Sequence, residues 1–199
     1  LAVLDVRGGE LRLAPEWLRV AGLEGVAELE LVEGDATRLP EVLGGRVYDL
    51  VVCWGSSLPH LDVYDLILLL AGIREIQGEN GVLVVEQFDL LPRILVWNAF
   101  EKVRVEGDLL TVFKEYDAWR GVQRRLVYKL PSLEYLGVLE SRLWDVAQVA
   151  ALTWLFYVNI KTYDVQDLKR TSKVILAYPP RRTAPRWREL VPPPKRGWV

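Results

Sequence analysis

Cysteine, histidine and methionine are scarce in this sequence: 199 residues contain one Cys, one His and no Met. The single cysteine, Cys53, excludes an intrachain disulfide and is typical of a protein kept in a reducing cytoplasm. No apolar run approaches the roughly 18–20 residues that a membrane span needs, and the first residues lack the pattern of a secretory signal. The sequence therefore predicts a cytoplasmic protein with no membrane partner.

An excess of charge of one sign is also missing. The 25 basic and 27 acidic residues leave a net charge of −2, which predicts no general attraction to nucleic acid or an anionic membrane. Hydrophobic residues make up 51% of the chain and charged residues 26%, as in a folded globular domain. The lack of Met and the scarcity of Asn agree with a thermophilic source. Since the chain starts with Leu1 inside a strand-like run, we expect the sequence to be incomplete.

Strand-like and helix-like patterns alternate in the first half of the chain. Apolar runs predict strands at residues 1–6, 27–32, 48–54 and 82–85. Helical spacing predicts helices at 10–21, with Pro15 inside, and at 61–77, and residues 78–81 predict a turn. The run at 48–54 is typical of a strand covered on both faces. This alternation predicts a three-layer α/β/α Rossmann-like fold with a mostly parallel sheet.

The pattern changes after about residue 108. Two strands at 109–117 and 124–130 flank Trp119-Arg120-Gly121 and predict an inserted hairpin within about 108–142. A helix at 143–155 precedes strands at 158–165 and 172–178, whose link is too short for a crossover helix. The last strands should therefore be antiparallel. Residues 1–180 form the predicted domain. Residues 181–199, rich in Pro and Arg, predict a surface-wrapping or partly ordered tail, and the alternative is a basic contact for a partner or for RNA.

Two carboxylates follow predicted strands at the edge where α/β sheets bind ligands. Asp5 ends the first run, and Asp35 follows the second within Glu33-Gly34-Asp35-Ala36. A strand-end carboxylate can accept hydrogen bonds from both hydroxyls of a ribose, although Asp5 could instead cap the next helix. Asp35 by itself could also be a turn residue that binds its own backbone. The pair favours a nucleoside site.

The run LELVEGDATRLP, residues 29–40, resembles the second cofactor-binding motif of class I S-adenosylmethionine (SAM)-dependent methyltransferases. This resemblance implies that SAM is the cofactor. It also implies that Asp35 accepts a hydrogen bond from the adenine amino group, that the Ala36 N–H faces a ring nitrogen, and that Gly34 belongs to the same turn. The thirty-residue step from Asp5 to Asp35 suits the family's interval between its ribose and adenine carboxylates.

The runs VYDLVVCWGSSLPHLD and GENGVLVVEQFD resemble the fourth and fifth strands of small-molecule methyltransferases, glycine N-methyltransferase in particular. The resemblance implies that residues after the fourth strand line the methionine arm and the acceptor pocket. The residues so implicated are Cys53, Trp54, Gly55, Ser56, Ser57 and His60. Ser56 stands where those relatives often carry Asn, so their acceptor contact does not transfer.

The aromatic side chains of the late segment lie in the region that roofs the acceptor site in resembling enzymes. They are Phe113, Tyr116, Trp119, Tyr128, Tyr135 and Trp144. Aromatic walls suit a flat or cationic acceptor, and ordinary core packing is the alternative for about half of them.

His60 could act as a general base near neutral pH, or it could be a helix-start histidine bonded to backbone. Cys53 in an apolar strand is expected to be a small hydrophobe and not a nucleophile. We predict no metal site.

The family's glycine-rich first motif is absent from the sequence, and the chain is one strand–helix unit short. We expect the complete protein to contain that unit. The sequence predicts a methyltransferase acting on a small-molecule acceptor, with homo-oligomers possible. The alternatives are a non-catalytic binding or scaffold relative and an NAD-dependent oxidoreductase, which would also use a strand-end Asp5.

Overall fold

The computed structural model describes residues 1–199 except 24, 26–27, 56, 89–93, 95–99, 168–169 and 192–199, and side chains at 166–172 are not described. The strands are β1 (Ala2–Asp5), β2 (Glu30–Glu33), β3 (Tyr48–Cys53), β4 (Gln77–Phe88), β5 (Val103–Glu106), β6 (Leu109–Asp117), β7 (Val122–Lys129), β8 (Glu134–Arg142), β9 (Tyr157–Asp167) and β10 (Arg170–Pro180). The helices with described bounds are α1 (Gly8–Leu11), α2 (Ala14–Val20), α3 (Leu39–Val42), α4 (Val63–Glu75) and α5 (Val146–Phe156).

The strands form three sheets. β1 and β2 are a parallel pair. A mixed sheet has the order β3-β4-β10-β9, in which β3 and β4 are parallel and the other neighbours antiparallel. An antiparallel sheet has the order β5-β6-β7-β8. The structure is therefore α/β with one mixed sheet. The antiparallel pairing of the last two strands is confirmed, and the mostly parallel character predicted from sequence is not.

One face of the mixed sheet carries the core. Leu83 and Val85 of β4 pair with Ala177 and Ile175 of β10, and all four side chains are buried. They share a single apolar cluster with α4, α5 and Trp144. Asp62 is the N-cap of helix α4. Its side chain accepts from the N–H groups of Tyr64 and Asp65, and the Asp65 side chain accepts from the Asp62 N–H, a capping box that fixes where the helix starts.

The opposite face is more open. Leu50 and Val52 are 56% and 52% exposed, so the expectation that β3 is covered on both faces is wrong for the described residues. In the described part of the chain, β3 pairs only with β4 and β1 only with β2. The predicted third layer over this face stays a prediction.

Three local expectations change. The expected helix at 10–21 is divided into α1 and α2. Proline disrupts a helix interior but is tolerated in the first turn, where its missing N–H has no intrahelical partner, and Pro15 lies in the first turn of α2. Residues 78–81, expected as a turn, lie within β4 as an irregularity, because Tyr48 pairs with Gln77 and Leu50 with Val82. The expected hairpin is present as β6 and β7, and β5 and β8 extend it to four strands.

The described part of the tail wraps the domain surface. Arg74 donates to the carbonyls of Arg181 and Arg182. The Trp187 indole N–H donates to the Thr37 carbonyl at 2.6 Å, and its backbone N–H to Glu75. Arg181, Arg182 and Trp187 thus contact α4 and the turn after β2. The role of the tail stays a prediction, and 192–199 lie outside the described residues. Every helix in the described ranges is too short or too polar to cross a membrane.

Candidate functional site

The two predicted nucleoside carboxylates lie at one edge of one strand pair. Asp5 pairs with Glu33 in the parallel register of β1 and β2, and the Gly34 N–H donates to the Asp5 carbonyl at 3.1 Å. Because parallel strands share the direction of their carboxyl ends, Asp5 and Asp35 project from the same edge. The structure thus places Asp5 and Asp35 at the ends of adjacent parallel strands, and their role in binding a nucleoside stays a prediction.

Asp35 shapes the turn that follows β2. Its Oδ1 accepts from the Thr37 N–H and hydroxyl, both at 2.8 Å, and this caps the short 3-10 turn at Ala36–Arg38. In the described part of the chain no group donates to Oδ2, so the exposed carboxylate keeps a free acceptor. A Cβ on Gly34 would come within 2.7 Å of Val42, so the turn packs closely on α3.

Asp5 is occupied by a neighbour. Arg7 donates its backbone N–H and Nε to Oδ1 at 2.8 and 3.1 Å, and its Nη2 to Oδ2 at 3.2 Å. The Arg7 guanidinium is the main cause that lowers the pKa of Asp5, and the charge of His60 adds to it.

A short loop follows β3. Gly55 has a φ of +82°, in the left-handed region that favours glycine. Its N–H donates to Glu86 Oε2 at 2.8 Å, so the end of β4 anchors the loop. The Ser57 hydroxyl donates to the carbonyl of Trp54, whose side chain is 53% exposed. Ser56 lies outside the described residues.

His60 ends a 3-10 turn at Leu58–His60, and its backbone N–H donates to the Ser57 carbonyl at 3.2 Å. The buried Trp144 supports this turn from below, since its indole N–H is shared between the carbonyls of Leu58 and Leu61 at 2.9 and 3.2 Å. The His60 side chain is exposed at the carboxyl edge, and its role as a base stays a prediction.

Cys53 lies at the end of β3, paired with Val85. Burial raises the pKa of its thiol to about 11, so the thiol is protonated at neutral pH. This fits the expectation of a small hydrophobe. Within the ranges described, no three His, Cys, Asp or Glu side chains form a group that could hold a metal ion.

An ion network attaches the antiparallel sheet to Asp62, in the segment that follows β3. Arg120 donates to Asp62 at 2.7 Å and to Glu140 at 2.8 Å, and Arg124 joins Glu140 to Glu115. Among the aromatic side chains considered as a roof, Trp144 is core, whereas Tyr116 and Trp119 are each 56% exposed. The network fixes the β5–β8 sheet against Asp62, the N-cap residue of α4, which lies two residues after His60.

Sequence reasoning missed two contacts at the edge, those of Arg7 with Asp5 and of Glu86 with Gly55. The first had a local signal, an arginine two residues after a strand-end aspartate. The second joins residues 31 positions apart and had none.

No protein-family model matches this chain, and no curated protein matches it. Solved structures do resemble it. A SAM-dependent methyltransferase from Clostridium acetobutylicum has a TM-score of 0.59 at 15% identity, over 88% of this chain and 73% of that one. The CcbJ methyltransferase from Streptomyces caelestis gives 0.57 at 14% identity, over 88% and 72%.

The sugar N-methyltransferase KedS8 from a Streptoalloteichus species gives a TM-score of 0.52 at 16% identity, over 88% of this chain and 70% of that one. At such identities a likeness is evidence for the fold alone. The chain has the α/β fold of SAM-dependent methyltransferases.

Proposed function

We propose that the protein is a SAM-dependent methyltransferase that acts on a small-molecule acceptor. The observation that carries the proposal is the position of Asp5 and Asp35 at the ends of adjacent parallel strands, in a fold shared with such enzymes. The fold by itself is compatible with many activities, so the proposal depends on these residues.

The residues at the edge fit an adenosine group. Asp35 has a free carboxylate oxygen for the adenine amino group, and the Ala36 N–H follows it in the turn. Asp5 would accept from the ribose. The backbone of Trp54, Gly55 and Ser57, held by Glu86, would contact the amino-acid arm.

SAM, when bound, supplies a methyl group on a positively charged sulfur, from which in-line displacement disperses the charge. The protein then has to hold the acceptor in line and exclude water. His60 would take the acceptor's proton on a ring nitrogen, a step that amine acceptors need less than hydroxyl acceptors do. Because one fold neighbour is a sugar N-methyltransferase, amino sugars are the first acceptors to screen.

Calorimetry on the full-length protein with SAM, S-adenosylhomocysteine and NAD tests the proposal. We expect heat from the first two ligands and none from NAD. No heat from either SAM or its product would refute it, and preferential binding of NAD would favour an oxidoreductase.

A further inference from the structure

Arg7 occupies the carboxylate that the proposed function assigns to the ribose. Its backbone N–H and Nε both reach Oδ1 of Asp5, at 2.8 and 3.1 Å, and Nη2 reaches Oδ2 at 3.2 Å. The two oxygens of a carboxylate offer about four lone-pair sites. Arg7 therefore fills both sites of Oδ1 and one of Oδ2.

One acceptor site is left for a ligand while this contact persists. A cis-diol that donates both hydroxyls to Asp5 needs two. The backbone N–H of Arg7 is fixed at the end of β1, so the group that has to move is the guanidinium. We propose that the Arg7 side chain is a gate on the nucleoside site, which holds Asp5 in the free protein and is displaced when a ribose with two free hydroxyls binds. This inference rests on the proposed function.

The surroundings of Arg7 allow that movement. Its side chain is 67% exposed, whereas that of Asp5 is 30% exposed. An exposed ion pair is weak because water screens the two charges and solvates them when they separate. The guanidinium can therefore leave Asp5 at a small cost in free energy. Asp5 itself stays in place, since its backbone is tied to β2 through the Gly34 N–H.

The gate has a measurable consequence. Displacing the guanidinium opposes binding, so removing it should strengthen binding by about two- to fivefold, the range that an exposed pair allows. A residue that contacts the ligand directly would do the opposite when removed. The direction of the change therefore separates the two roles.

The experiment uses calorimetry to measure the Kd of S-adenosylhomocysteine for three full-length proteins: the wild type, the Arg7→Ala variant and the Arg38→Ala variant. This ligand carries no net charge, so general effects of charge on binding are small. Arg38→Ala is the matched control, because Arg38 lies in the turn beside Asp35 and makes an exposed pair with Glu41 instead. We expect tighter binding in Arg7→Ala and an unchanged Kd in the control.

A double-mutant cycle with Asp5→Asn completes the test. If the gate acts through Asp5, the Arg7→Ala gain disappears in the Asp5→Asn background. Unchanged or weaker binding in Arg7→Ala, or a gain that persists without the Asp5 carboxylate, overturns the gate while leaving the methyltransferase proposal intact. Failure of the ligand to bind the wild-type protein refutes the proposed function and the gate together.

Discussion

Arg120 and Asp62 form a buried ion pair, with Nε 2.7 Å from Oδ2, that joins the β6–β7 turn to the first residue of α4's capping box. The two side chains are 11% and 2% exposed. The net energy of a pair this deep is small compared with the cost of leaving one member buried without the other.

Arg120→Met should destabilise the protein by about 3 kcal/mol, because it leaves the Asp62 carboxylate buried without its cation. Urea unfolding measures the change. The control is Arg182→Met, which removes an ion pair with Glu79 whose side chains are 79% and 77% exposed, and no measurable change is expected. Equal effects of the two substitutions would contradict the structural role of the buried pair.

The same network predicts acid sensitivity. Burial by itself would raise the pKa of Asp62, but the Asp65 N–H and the Arg120 guanidinium outweigh it and hold that pKa below 3.8. Burial likewise opposes the effect of Arg124 and Arg120 on Glu140, whose pKa is nevertheless held below 4.5.

A carboxylate whose pKa is lower in the folded protein stabilises the fold fully at pH values above its unfolded-state pKa. This stabilisation is lost as the pH falls to its folded-state pKa. The Tm should therefore decrease as the pH drops below about 4.5. Glu140→Gln should flatten this decrease. If the Tm of the Glu140→Gln variant falls as steeply with pH as that of the wild type, the Glu140 carboxylate is not the source of the acid sensitivity.

Trp144→Phe should destabilise the protein by about 2 kcal/mol, since it removes the indole donor from the carbonyls of Leu58 and Leu61, and the Leu58 carbonyl alone keeps a backbone donor, the Leu61 N–H. Amide exchange in the turn at Leu58–His60 should become faster. Trp17→Phe is the matched control, because that ring is 69% exposed on α2. Slow exchange retained in the variant would mean that the indole does not hold the turn.

Asp35→Asn should weaken binding of S-adenosylhomocysteine by roughly tenfold or more. The amide keeps an oxygen to cap the turn, but replaces the free acceptor with a donor, which would face the adenine amino group in the proposed binding mode. Asp49→Asn serves as control, since Asp49 is exposed near the opposite, amino end of β3. Calorimetry gives both values, and equal affinities would remove Asp35 from the site.

Local patterns predicted much of this structure. The helical spacing at 61–77 anticipated α4, and the short link at 166–171 anticipated the antiparallel pairing of β9 and β10. The strand-end positions of Asp5 and Asp35 predicted their common edge. These features depend on neighbours in the chain, so a sequence pattern can encode them.

The sequence by itself determined the alternation of strands and helices and the strand-end acids, because periodicity and turn residues act over a few positions. Only the tertiary structure decided that Arg120 reaches Asp62 across 58 positions, that Trp144 supports the His60 turn, and that Glu86 holds the Gly55 N–H. Such contacts depend on how sheets and helices pack and on which rotamers that packing leaves, and no local pattern specifies either one.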